Sequence, residues 1–223
     1  MRFWIAAICV AALTACASRA LSPADHYAAM RDAAVLVETQ VGQGSGVVVG
    51  PNLVLTAKHL ASNGNYTITF HDGTQRLAVE VWKATEDDAM LLHFEGEQYG
   101  IEAILDCSPM TIGEHFWWIG NPEDMRWNLG DGYVSSVDVP VMDWGSKDRV
   151  TIVRAAFAPG DSGSGLFSDD HKVRAILTAI KLSMLYDSPI GPELSFTEIG
   201  IVTPTSSFCP ALKQVAAAVR FEA

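Results

Sequence analysis

About twelve short runs rich in Val, Ile, Leu, Thr and aromatic residues succeed one another from residue 35 onward, and this constrains the fold more than any other feature. They occupy residues 35–41, 45–49, 53–56, 66–70, 77–85, 89–94, 116–119, 132–139, 150–155, 165–167, 173–180 and 199–202, with Gly, Pro, Asn or Asp between them. Helical patterns do not alternate with them, so βαβ units and a parallel sheet are excluded and antiparallel barrels are expected. A chain of 223 residues with 49% hydrophobic side chains is long and apolar enough for one large all-β unit. Helical spacing appears only near the end, where Leu212, Val215, Ala216 and Val219 share one face of residues 210–220. The net charge of −11 repels phosphate backbones, which argues against nucleic acid as a partner.

The first residues have a different character. Arg2 precedes an apolar run over residues 3–13, the length of a secretory core and short of a bilayer span. It ends in Leu13-Thr14-Ala15-Cys16, which resembles the bacterial lipobox, in which cleavage precedes a cysteine that takes lipid. Cleavage after Ala17 or Ala20, or an uncleaved anchor, are the alternatives. The expected organisation is a lipoprotein signal peptide over 1–15, a tether over 16–34 anchored through Cys16, and a folded domain over 35–223. Within the tether, Ser22 and Pro23 read as the cap and first residue of a short helix. With Cys9 in the leader and Cys16 lipidated, Cys107 and Cys209 remain as a disulfide or as two buried thiols.

Chemistry concentrates in Pro159-Gly160-Asp161-Ser162-Gly163-Ser164-Gly165. A serine between glycines can be held in a tight turn, with its hydroxyl presented and the N–H groups of Gly160 and Ser162 free to receive an oxyanion. Upstream, a strand over 53–56 delivers His59, and Asp87 and Asp88 open the apolar strand that follows. The order His, Asp, Ser differs from the Ser, Asp, His order of α/β-hydrolases and the Asp, His, Ser order of subtilisins. The metal-binding spacings HExxH and CxxC…CxxC are absent, so no metal is expected.

These residues resemble the trypsin-like, chymotrypsin-fold serine peptidases, and within them the bacterial Deg/HtrA type. The resemblance runs over residues 35–204 in five blocks: Gly44-Ser45-Gly46-Val47-Val48 with Leu55-Thr56-Ala57-Lys58-His59; Asp87-Asp88-Ala89-Met90-Leu91; Ile119-Gly120-Asn121-Pro122 with Gly132-Tyr133-Val134-Ser135-Ser136; the serine block; and Ile176-Leu177-Thr178-Ala179-Ile180. It implies two six-stranded antiparallel β-barrels, a crossover over residues 99–113, and a C-terminal helix on the second barrel. It implies a serine endopeptidase acting on polypeptides through an acyl-enzyme, with no cofactor, in which Ser162 attacks, His59 carries the proton and an aspartate orients the imidazole. The Asp-x-Ala-x-Leu block assigns the aspartate as Asp87. Asp88 takes that place if the register moves by one, since neighbouring residues point to opposite sides.

The pocket is expected from Ala156, Phe157, Thr178, Ala179 and Ile180. Ala156 stands where relatives that cleave after Arg or Lys carry a carboxylate, so cleavage after basic residues is not expected, and Phe157 and Ile180, placed to narrow the slot as in Deg-type peptidases, imply a preference for small aliphatic residues. Asp161 replaces the more usual Asn and needs a partner, for which Arg154 is the nearest cation in sequence. No PDZ module is expected after residue 204. Together the features place the protein in the bacterial cell envelope, facing the periplasm or exterior. The alternative function is a catalytically silent lipoprotein that keeps the fold to bind peptides or proteins.

Overall fold

A computed structural model describes residues 20–40, 42–123, 125–140, 149–185 and 193–222. The signal segment and Cys16 lie outside the described residues. The first closed barrel is formed by β1 (Ala34–Glu38), β2 (Gln43–Gly50), β3 (Leu53–Thr56), β4 (Tyr66–Phe70), β5 (Gln75–Lys83) and β6 (Met90–Phe94), in the order β1-β2-β3-β6-β5-β4. The second contains β7 (His115–Gly120), β8 (Asn128–Pro140), β9 (Arg149–Arg154), β10 (Gly165–Phe167), β11 (Val173–Leu185) and β12 (Glu193–Pro204), closed as β10-β11-β12-β9-β8-β7. All pairings between these strands are antiparallel.

Alternation along the strands explains how two barrels become one body. On β3, Val54 points into the first barrel with Val35, Ile68, Met90 and Leu92, while Leu53 and Leu55 point outward. Those outward residues meet Ile119, Phe167 and Ile176 of the second barrel in a shared apolar layer. A strand buried on both faces reads as an unbroken apolar run, as Leu53-Val54-Leu55 and Met90-Leu91-Leu92 do. Phe116, Trp118, Val153, Leu166, Leu177 and Val202 fill the second barrel.

Helix α1 (Pro23–Met30) begins on a capping box: Asp25 N donates to Ser22 Oγ, and the Asp25 carboxylate accepts from Ser22 N at 2.8 Å. It is the short helix expected from Ser22 and Pro23. Met30 and Ala33 join the layer between the barrels, and His26 stacks on Trp117 with ring centroids 4.4 Å apart. Helix α2 (Thr205–Glu222) starts earlier than its apolar spacing indicates, because Thr205 Oγ1 donates into the carbonyls of Arg174 and Asp106 and fixes the first turn. It packs across the barrel junction, with Phe208 and Leu212 in the shared layer and Phe208 6.2 Å from the Trp82 ring of β5. Cys107, in the crossover, and Cys209, on α2, form a disulfide with Cα atoms 5.8 Å apart.

Candidate active site

The serine lies in a loop shaped by two glycines. Gly160 has φ +99° and Gly163 φ +86°, where side chains are disfavoured. Any Cβ at Gly163 would fall 2.2 Å from Ser45 O, and one at Gly160 would fall 2.5 Å from Asn121 O. The first barrel thus grips the loop of the second: Ser45 N donates to Ser162 O at 2.7 Å and Ser45 Oγ to Gly160 O at 2.9 Å. Gly163 N donates to Leu177 O at 2.8 Å. The N–H groups of Gly160 and Ser162 have no protein acceptor among the described residues.

His59 sits on a 3-10 turn (Lys58–Leu60) directly after β3. Its Nδ1 lies 2.8 Å from Asp88 Oδ2, and its backbone N–H donates to Asp88 Oδ1 at 2.8 Å. An ionised carboxylate can only accept, so Nδ1 carries the proton and Nε2 is left as the basic nitrogen. Both side chains remain partly open, 43% and 18% exposed respectively. Ser162 lines the same cavity as His59, with no hydrogen bond between hydroxyl and imidazole. In unliganded sites such bonds are commonly long and close on substrate.

Of the two neighbouring aspartates it is Asp88, and not Asp87, that is bonded to His59. Thr56 pairs with Met90, and continuing that antiparallel line brings residues 58–59 alongside Asp88. Asp87, which lines the same cavity, accepts from Ser207 Oγ of α2 at 2.9 Å. The loop is closed by Ala84 N donating to Ala89 O at 2.9 Å, and Lys58 Nζ holds Ala84 O at 3.0 Å. Lys58 and Ser207 carried no signal in the sequence. Asp88 did: counting back from Leu91-Leu92 instead of from Ala89 selects it.

A cavity of about 940 Å³ opens from His59 and Ser162 toward the second barrel. Thr178, Ala179 and Ile180 line it as expected, together with Ala158, Leu177, Val202 and Thr203. Ala156 and Phe157 do not line it. Ala156 is exposed, and Phe157 is buried inside the barrel, where its ring lies 4.4 Å from Trp118. Gly200 makes this possible, since any Cβ there would lie 2.6 Å from Phe157 Cε2.

Asp161 is 1% exposed, and Arg154, expected as its partner, is exposed and not bonded to it. Its Oδ2 accepts from Ala158 N at 2.9 Å, while Oδ1 and the indole Nε1 of Trp118 are both without a partner among the described residues. Burial pushes the Asp161 carboxyl up to about 6, with the Ala158 N–H and the nearby indole offsetting only part of the effect. A carboxyl raised on folding holds its proton more tightly in the folded state, so stability falls as pH rises between about 4 and 6. The expected loss is on the order of 3 kcal/mol by pH 7, and Asp161→Asn removes that pH dependence. Urea unfolding at pH 4 and pH 7 checks it. An identical difference between wild type and variant at the two pH values would contradict the raised carboxyl.

The comparisons agree with this geometry. The family model described as "Trypsin-like peptidase domain" matches residues 44–176. A "Probable periplasmic serine endoprotease DegP-like" of Rickettsia prowazekii is 28% identical over 178 residues, covering 77% of this chain and 33% of that protein. A protein of the same description from Chlamydia pneumoniae is 23% identical over 140 residues, covering 62% of this chain and 29% of that one. The chain thus spans about a third of the length of the curated relatives it matches. Among solved structures, the HtrA-type protease AlgW with a tripeptide superposes with TM-score 0.72 at 20% identity, over 88% of this chain and 64% of that one. Rv3671c of M. tuberculosis, in an inactive form, gives TM-score 0.67 at 18% identity, over 86% and 90%. The histidine bonded to an aspartate and the glycine-framed serine both stand within the matched region, and the chain belongs to the trypsin-like peptidase domain family.

Proposed function

We propose that this protein hydrolyses peptide bonds through Ser162, His59 and Asp88, and that it does so tethered by lipid to an envelope membrane. The observation that supports this most is the pair of bonds from Asp88 to His59, which fixes the imidazole with Nε2 free on the cavity side that Ser162 also lines. In the cycle, Nε2 takes the proton from Ser162 Oγ as the hydroxyl attacks the substrate carbonyl. The N–H groups of Gly160 and Ser162 hold the oxyanion, and the imidazolium then protonates the leaving amine. Water, deprotonated by the same nitrogen, releases the acyl group. Asp88 keeps Nδ1 protonated and steadies the positive ring throughout.

The cavity wall of Ile180, Leu177, Val202 and Ala158 supports an apolar preference, and Asp138, which also lines the cavity, is paired with Arg149. The periplasmic description of the curated relatives supports an envelope location, and the Cys16 lipobox supports anchoring there. One experiment tests reaction and anchor together. Membranes from cells expressing the full chain are treated with a fluorophosphonate probe. Wild type is expected to label in the membrane fraction, Ser162→Ala not at all, and Cys16→Ala in the soluble fraction. Well-folded wild type that stays unlabelled would favour the silent binder, and Cys16→Ala that still sediments would sink the lipid anchor.

A further inference from the structure

We propose that Asp87 is a positioning residue, fastened to the first turn of α2 through Ser207, and that this fastening sets the direction in which Asp88 meets His59. The inference rests on the peptidase reading above and adds a residue pair to it. Asp87 is a buried carboxylate beside the acid, and its Oδ1 accepts from Ser207 Oγ at 2.9 Å. The same hydroxyl lies 2.8 Å from Pro204 O, so its single proton is shared between the end of β12 and the acid loop.

The far side of this bond is rigid. Within two residues of Ser207, Phe208 is 1% exposed against the barrel junction and Cys209 is tied to Cys107. Two residues before it, Thr205 is anchored on Arg174 O at 2.9 Å. The near side is a six-residue loop over 84–89, closed by one backbone bond and held by Lys58 at its start. Lys58 restrains residues 84 and 85, and the Ser207 bond restrains the loop at residue 87. Residues 85–88 form successive bends, and Asp87 and Asp88 share one peptide unit there, so holding Asp87 on α2 limits the rotation of the backbone that aims Asp88 at His59. Losing the Ser207 bond weakens the hold of α2 on the loop, and both bonds to His59 loosen together. Small misplacements of this kind act on the reacting geometry more than on substrate binding.

The test uses the full chain with Ser207→Ala, Asp87→Ala, Asp87→Asn and the Asp87→Ala/Ser207→Ala double variant. Each alanine variant is expected to lower kcat about tenfold with KM nearly unchanged, and the double variant to be no slower than either single one. Asp87→Asn, whose amide oxygen still accepts from Ser207, is expected to recover the rate to within about threefold of wild type. The His59 Nδ1 proton resonance should sharpen in wild type and Asp87→Asn and broaden in the alanine variants. A carboxylate that merely favours the helix end would move the thermal midpoint and leave kcat and this resonance alone. Ser207→Ala at wild-type kcat, multiplicative losses in the double variant, or Asp87→Asn as slow as Asp87→Ala would each overturn the proposal. Should wild type fail to label with a fluorophosphonate, the peptidase reading falls by itself, while the His59 resonance still decides the positioning role without any need for turnover.

Discussion

Asp88→Asn is expected to lower kcat/KM by about 10³–10⁴-fold, while Asp87→Asn costs no more than about threefold. The two residues are neighbours of the same type, so charge and chain location are matched, and the contrast isolates which carboxylate holds His59. Asp88 accepts the imidazole Nδ1–H and the backbone N–H of His59, both at 2.8 Å. An amide at residue 88 can turn its NH₂ toward Nδ1 and stabilise the wrong tautomer, with the proton on Nε2 where the base must be free. Loss of that order from Asp87→Asn, with Asp88→Asn near wild type, would return the acid role to Asp87. Steady-state kinetics on a peptide substrate, with unfolding midpoints to show that both variants fold, provides the measurement.

Removing the Cys107–Cys209 disulfide is expected to lower stability by about 4–5 kcal/mol, the chain-entropy value for a loop of 102 residues. The loop it closes contains the whole second barrel: Cys107 precedes β7, and Cys209 follows β12 by only a few residues. Without the bond the unfolded chain gains the freedom of that loop, while the native barrel keeps its strand pairings, so the loss belongs mainly to the unfolded state. The crossover keeps a second fastening through Arg174, which is buried and bonded to Glu114 and Ser108 and paired with Asp106 at 2.7 Å. Urea unfolding of the Cys107→Ala/Cys209→Ala variant, and of wild type with and without reductant, checks the value. A loss below about 1 kcal/mol would mean that the reduced chain is already restrained by residual structure.

Much of the fold was legible because strand alternation and turn residues are local signals. The runs at 53–56, 66–70 and 165–167 match β3, β4 and β10 residue for residue, and the crossover lies between β6 and β7 as the sequence indicates. The start of β8 was underread because Asn128-Leu129-Gly130-Asp131 is rich in turn residues, whereas the outer arms of β11 and β12 do alternate polar with apolar residues and were missed because alternation alone does not show that two short segments pair. The start of α2 was hidden for another reason: it is fixed by Thr205 reaching carbonyls of residues 106 and 174, which no window of sequence contains.

In the site, Ser162 and His59 stand out because glycines and strand ends mark them, whereas the choice between Asp87 and Asp88 turns on a one-residue register. Such a choice is settled by pairing partners and not by composition. Phe157 misled for a similar reason. Its place in the sequence suits a cavity wall, but the missing side chain of Gly200 gives its ring a better site inside the barrel.

Ser45 also has a consequence for how the molecule responds to load. Its hydroxyl accepts from Asn121 N at 2.9 Å and donates to Gly160 O, while its amide donates to Ser162 O, so one residue of the first barrel stitches two separate turns of the second. The apolar layer between the barrels can slip by a fraction of an ångström at little cost, because dispersion contacts are many and undirected. Three directed bonds converging on one residue cannot. Shear between the halves is therefore transmitted first to the peptide planes around Ser162, and the reaction centre acts as the strain gauge of the barrel junction.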